Sequence, residues 1–166
     1  KAIANKLIAD GINIFYIIGG DGSMKAAHAI ATGLRNQKNE TESSPISIAA
    51  IPKTMDNDIL WVWQAFGFMS AVDKATQFAV QLHREAKSNP RLCVMQLFGS
   101  DSGFVVSHAA LACNVCDLAL IPEVAFDMDS VFDYIEDCLL RKNKKKHAHG
   151  LILMGETAIP KDAKKY

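Results

Sequence analysis

At 166 residues the chain is one domain's worth of polypeptide, large enough for a real core, and 49% of it is apolar. Its 18 basic residues balance 18 acidic ones, which argues against a nucleic-acid surface or an acidic tail. The longest apolar runs are strand-length and interrupted, so none spans a membrane, and no signal peptide is visible.

In chain order, residues 2–10 have the pattern of a helix stopped by Gly11, followed by the apolar strand Ile14-Phe15-Tyr16-Ile17-Ile18. Gly19-Gly20-Asp21-Gly22-Ser23 makes a turn, and residues 24–34 read as the next helix. Residues 36–45 form a polar loop, and residues 46–51 a short strand ending at Pro52. Residues 68–87 have helical periodicity, with Val72, Ala75, Ala79 and Leu82 along one face. Residues 92–97 read as a strand, 103–113 as a helix and 118–121 as a strand. Asp129-Ser130 is placed to cap a helix reaching about Lys142, and residues 151–154 are the last strand. Repeated strand–helix units with apolar strands predict an α/β fold, a parallel sheet covered by helices as a three-layer sandwich. Ligands in such sheets bind beyond the carboxyl ends of the strands. Polar clusters at residues 19–23, 52–58 and 99–103 all fall at strand ends, which points to one shared cleft.

The glycine turn carries the first chemical signal. Glycines let backbone N–H groups approach an anion, and a helix N-terminus favours negative charge. Asp21 inside that turn would repel a bare phosphate. A magnesium ion shared between Asp21 and phosphate oxygens removes the conflict. The turn therefore suggests a nucleotide site for phosphoryl transfer, although strand–turn–helix junctions are also glycine-rich for geometry alone.

The second signal is Pro52-Lys53-Thr54-Met55-Asp56-Asn57-Asp58. Of its carboxylates, one can accept a proton from an attacking sugar hydroxyl while the other helps hold metal or substrate. Lys53 can offset phosphate charge. A solvated Asn/Asp turn would have the same composition, so this motif alone leaves both readings open.

The remaining polar residues offer weaker signals. Of the 4 cysteines, Cys113 and Cys116 have metal or redox spacing, but no second pair or nearby histidine completes a zinc site. Buried thiols in a reducing, cytosolic setting are expected instead. Asn39-Glu40-Thr41 matches a glycosylation sequon that carries little meaning there. His28, His83, His108, His147 and His149 match no motif and are expected to be structural or solvent-facing, with His108 packed on its helix. The basic run 141–146 reads as a solvated helix end.

Taken together in order, these motifs closely resemble the 6-phosphofructokinase family. Gly19-Gly20-Asp21-Gly22-Ser23 and Pro52-Lys53-Thr54-Met55-Asp56-Asn57-Asp58 are followed by Phe66-Gly67-Phe68-Met69-Ser70-Ala71-Val72. Phe98-Gly99-Ser100-Asp101-Ser102-Gly103-Phe104 then occupies the place of the family's Met-Gly-Arg-x-Ser-Gly-Phe turn, and Leu120-Ile121-Pro122-Glu123 matches its Leu-Ile-Pro-Glu. The resemblance implies a phosphofructokinase-type sandwich that phosphorylates fructose 6-phosphate at its 1-hydroxyl in glycolysis. Asp56 matches the catalytic base, Asp21 the magnesium carboxylate and Gly20–Ser23 the nucleotide phosphate loop. Thr54 and Asp58 match positions that contact the sugar or the transition state. Glu156 matches the glutamate holding the sugar hydroxyls. Arg91 matches an arginine that reaches a neighbouring subunit's site, which implies a homo-oligomer. A glycine at position 22 leaves room for the nucleotide α-phosphate, as in ATP-dependent members. Lys53 is common in pyrophosphate enzymes; the combination of Gly22 with Lys53 favours ATP.

Departures from the pattern are as informative. Ser100 stands for the family's arginine and Phe98 for its methionine, and the family's Glu-Gly is here Glu156-Thr157. If the missing charge served the transferring phosphoryl group, its loss would cost on the order of a thousandfold in rate. That keeps a non-catalytic regulatory subunit binding nucleotide or sugar phosphate among the alternatives. The run Leu60-Trp61-Val62-Trp63-Gln64 is unusually apolar; its tryptophans could cover a site or pack, and packing is the expected role. Residues 1–166 are expected to be a partial core that lacks the family's first strand and most of its sugar-binding half, and that catalyses poorly alone.

Overall fold

The structure, a computed structural model, describes residues 2–37, 46–143 and 148–165. The sequon at residues 39–41, part of the basic run and His147 lie outside them. The chain divides into two compact units: Lys1–Thr54 with Ile59–Phe66, and Met55–Asp58 with Gly67–Tyr166.

In the first unit, α1 (Ala2–Ala9) ends before Gly11, which turns the chain at φ +66°. β1 (Ile14–Gly19) runs parallel to β2 (Ser47–Thr54), from Ile14 opposite Ser47 to Gly19 opposite Pro52. The connection between them is α2 (Asp21–Gln37). The helix begins at Asp21, not at Met24, because Ser23 and Met24 both donate their N–H groups to the Gly20 carbonyl, at 3.0 and 3.1 Å. β2 also runs past Pro52 to Thr54. Pro52 stands on the last rung of the pairing, where a missing N–H interrupts little of the ladder. The two-residue strand β3 (Phe66–Gly67) completes the sheet order β1-β2-β3.

The second unit contains α3 (Phe68–Ser88), β4 (Leu92–Leu97), α4 (Phe104–Cys113), β5 (Leu118–Leu120), α5 (Met128–Asn143) and β6 (Gly150–Gly155). Its strands are parallel in the order β4-β6-β5, so β6 is central. Leu151 and Leu153 of β6 are fully buried, among Val72, Ala75 and Ala79 of α3 and Val105, Val106 and Ala109 of α4. Leu82 lies at the rim of that core. The parallel α/β class expected from the strand–helix alternation is present, with the strands shared between two three-stranded sheets.

Two local expectations are corrected. Asp127, not Asp129, caps α5: the Ser130 N–H donates to Asp127 Oδ1 at 2.8 Å and its hydroxyl to Oδ2 at 3.0 Å. Those bonds hold the Asp127 carboxyl below its ordinary range. The basic end of α5 is not simply solvated either. Arg141 is exposed beside Asp137, but Lys142 is half-buried, 2.5 Å from Asp117 and donating to the His149 carbonyl at 3.0 Å.

Candidate active site

Parallel pairing puts the carboxyl ends of β1 and β2 at one sheet edge. The α2 N-terminus leaves β1 there, and Lys53 and Thr54 end β2. A Cβ on Gly20 would lie 3.7 Å from Thr54 Cβ and 3.9 Å from the Lys53 carbonyl, so the two motifs lie side by side. Gly19 is required by packing, since a Cβ there would collide with the Ser23 side chain. Gly22 differs, because its Cβ position has no atom within 4 Å. Asp21 lies in the first turn of α2 with its carboxylate 2.5 Å from Lys25 Nζ, a pair set by i,i+4 spacing that the sequence reading overlooked. The Asp21 and Gly22 amides precede the first helical bonds, which Ser23 and Met24 make to the Gly20 carbonyl, so this edge offers donors and positive potential to an anion.

In the second unit, β4 and β6 also end together, with Leu97 opposite Gly155. Phe98–Gly103 leaves β4 and Glu156 leaves β6 at that edge. The Ser100 backbone amide faces the half-buried Asp56 carboxylate. Burial raises its pKa above the ordinary aspartate range; the Ser100 amide lowers it in part, and the charges of Asp58 and Glu156 raise it further. The Ser102 hydroxyl donates to the Asp56 carbonyl at 2.7 Å. Gly99 holds the turn at φ +139°, a conformation open to glycine. Asn57 takes a left-handed conformation at φ 55°, which asparagine tolerates. The cluster of Asp56, Asp58, Ser100 and Glu156 is thus assembled from segments far apart in sequence. Ser102 belongs to it too, and its place in the Ser-Gly-Phe turn was the signal available for it.

Arg91, also expected at the site, lies apart from this cluster. Arg91 stands just before β4, at its amino end, with its guanidinium 3.1 Å from Glu85 and its Nε–H donating to the Asn89 carbonyl at 3.2 Å. A six-residue strand is about 20 Å long, so Arg91 is far from the Asp56 cluster of its own unit. Phe98 is exposed. Trp61 and Trp63 are also exposed, at 102% and 94%, which corrects the expectation that they pack; Trp61 takes φ +67°. His108 is exposed, yet its ring meets the edge of Phe68 at a centroid distance of 5.0 Å. His83 and His149 meet edge-on, also at 5.0 Å. Cys113 is buried and Cys116 half-buried, and their thiols donate to the Ala110 and Leu118 carbonyls.

Among the described residues no group of three or more histidines, cysteines and carboxylates converges as a metal-binding set. Asp21 alone suits a magnesium ion that arrives on phosphate oxygens, since such ions need only one or two protein carboxylates. Its exposed side chain is held by the flexible Lys25 and can exchange that partner.

The family model described as Phosphofructokinase matches residues 1–166. An ATP-dependent 6-phosphofructokinase of Entamoeba histolytica is 34% identical, covering 98% of this chain and 36% of the relative. ATP-dependent 6-phosphofructokinase 1 of Arabidopsis thaliana is 39% identical over 89% of this chain and 30% of its own length. The chain thus spans about a third of the curated relatives it matches. A phosphofructokinase structure from Saccharomyces cerevisiae superposes with a TM-score of 0.80 at 23% identity, covering 98% of this chain and 24% of that one.

Proposed function

The chain belongs to the phosphofructokinase family, and from that premise we propose that its activity is transfer of the ATP γ-phosphoryl group to the 1-hydroxyl of fructose 6-phosphate, a glycolytic reaction. The observation that carries this reading is the Asp56 carboxylate, oriented by the Ser100 amide and crowded by Asp58 and Glu156. A carboxylate with a raised pKa is a stronger proton acceptor. In the reaction Asp56 takes the proton of the sugar hydroxyl. The hydroxyl oxygen bonds to the γ-phosphorus as the bond to the bridging oxygen breaks, and ADP leaves. Thr54, Asp58 and Glu156 orient the sugar.

The donor's phosphates lie on the α2 N-terminus, within the Gly20–Ser23 turn, with Lys53 supplying a cation. Asp21 would hold magnesium, which neutralises charge on the phosphate oxygens when bound. The empty space at the Gly22 Cβ position supports ATP, because a side chain there would fill the room a nucleotide needs. The curated relatives' names point the same way. No helix among the described residues is long and apolar enough to cross a membrane. A cytoplasmic homo-oligomer fits, in which Arg91 serves the site of a neighbouring copy.

The deciding experiment assays the full-length protein with fructose 6-phosphate and magnesium, comparing ATP with pyrophosphate. Turnover with ATP alone is expected. Turnover with pyrophosphate alone would overturn the donor. Nucleotide or sugar-phosphate binding without turnover would favour a regulatory subunit, the reading that the uncharged Ser100 supports.

A further inference from the structure

The turn that reaches Asp56 is tied down from two sides. Ser102 bonds the Asp56 carbonyl on one side, and on the other the Thr157 hydroxyl donates to the Ser100 carbonyl. Within the turn the Ser102 N–H reaches the Gly99 carbonyl at 3.4 Å. Thr157 is itself well placed to anchor it. The preceding Glu156 N–H donates to the Leu97 carbonyl at 3.0 Å, which fixes the exit of β6 against the exit of β4. Ser100 and Thr157 are also two positions where this chain leaves the pattern it otherwise resembles, and they are in contact. Glycine at position 157 would have no hydroxyl to donate.

We propose that Thr157 is a positioning residue, which keeps the Ser100 amide aimed at the Asp56 carboxylate by holding the Ser100 carbonyl. The amide and carbonyl of one residue are separated by only two soft torsions, so fixing one restrains the other. Exposed turns open at little cost unless tied, and Ser100 is exposed. The charged groups acting on Asp56 are Asp58 and Glu156, both of which disfavour its ionised form. Burial raises the proton affinity of the carboxylate most, and the Ser100 amide opposes both burial and those charges, so its alignment bears on the direction and the proton affinity of the carboxylate. The proposal rests on the reading of Asp56 as the base.

The test uses Thr157→Val, which keeps the shape without the hydroxyl, and Thr157→Ser, which keeps the hydroxyl, in the full-length protein. Thr157→Val is expected to lower kcat about tenfold while changing the KM for ATP by less than about twofold. It should also move the acid limb of the kcat profile to higher pH, because losing an N–H donor disfavours the carboxylate. Thr157→Ser should restore both. An unmoved acid limb in Thr157→Val, or a Thr157→Ser variant as impaired as Thr157→Val, overturns the proposal. The pH dependence of carbodiimide labelling at Asp56, read by peptide mass spectrometry, separates the two readings. If Asp56→Asn keeps its turnover, Asp56 is not the base. A labelling profile moved to higher pH by Thr157→Val would then still support positioning, and an unmoved one would refute it.

Discussion

The glycine turn at the edge of the β1–β2 sheet and the aspartate cluster at the edge of the β4–β6 sheet stand on different foundations. β1 alternates between half-buried Phe15 and Ile17 and exposed Ile14, Tyr16 and Ile18. Apart from half-buried Met154, β6 is buried along its length, with Leu151 and Leu153 at 0% exposure. The glycine turn therefore depends on local backbone chemistry: a helix start, a collision avoided at Gly19 and open space at Gly22. The aspartate cluster depends on the exits of two strands locked into a core. Substitutions should separate accordingly, altering ligand affinity with little change of stability in the first region and coupling the two in the second.

Asp56→Asn sharpens this contrast most. It should reduce kcat on the order of a thousandfold, the usual scale for a general base, while KM for ATP stays near the wild-type value. Steady-state kinetics check it, and unchanged kcat would remove the base from the second region. Leu153→Ala comes next, with an expected loss of about 3 kcal/mol for a buried leucine, measured by urea denaturation. A paired comparison of glycines follows. Gly103→Ala places a Cβ 2.5 Å from Ile121 Cβ and 2.6 Å from a Glu123 carboxylate oxygen, and should destabilise the protein by about 2 kcal/mol. Gly22→Ala meets nothing within 4 Å and lies in the first turn of a helix, so its stability should hold or rise by up to about 1 kcal/mol. Its KM for ATP should nevertheless increase. Equal destabilisation by both would erase the distinction between the regions.

Legibility from sequence followed the same division. Alternation and helical spacing located nearly every strand and helix, since 92–97 and the α3 face Val72, Ala75, Ala79 need only local pattern. Boundaries shifted where a backbone bond or cap decided them, as at Gly20 and Asp127. The glycine turn was readable because its residues are contiguous. In the aspartate cluster the roles of Asp56, Asp58 and Glu156 came through a family resemblance. The Thr157–Ser100 bond joins positions 57 residues apart, and the Asp117–Lys142 pair joins positions 25 apart. No local pattern encodes such a meeting; strand register does. The exposed tryptophans were misjudged because apolar composition favours packing but cannot name a partner.

The smallest effect concerns pH, and it opposes two aspartates of the same unit. Asp56 has a folded pKa raised by burial, so the folded state binds its proton more readily than the unfolded chain. Its contribution to stability is then greatest at low pH and falls as pH rises from the ordinary aspartate value through the raised one. Asp127 has a folded pKa lowered by its bonds to Ser130, so the sign reverses. Its contribution is full above the unfolded value and is lost as pH falls through the depressed one. Asp56→Asn should therefore raise Tm slightly at pH 7 and lose that gain in mild acid, while Asp127→Ala should lower Tm at pH 7 and converge on wild type in acid. Melting curves of both variants across that range check the pair. Parallel curves for the two would mean that the Asp56 carboxylate is solvated in the folded protein, and that burial at the second region's edge does not tune it.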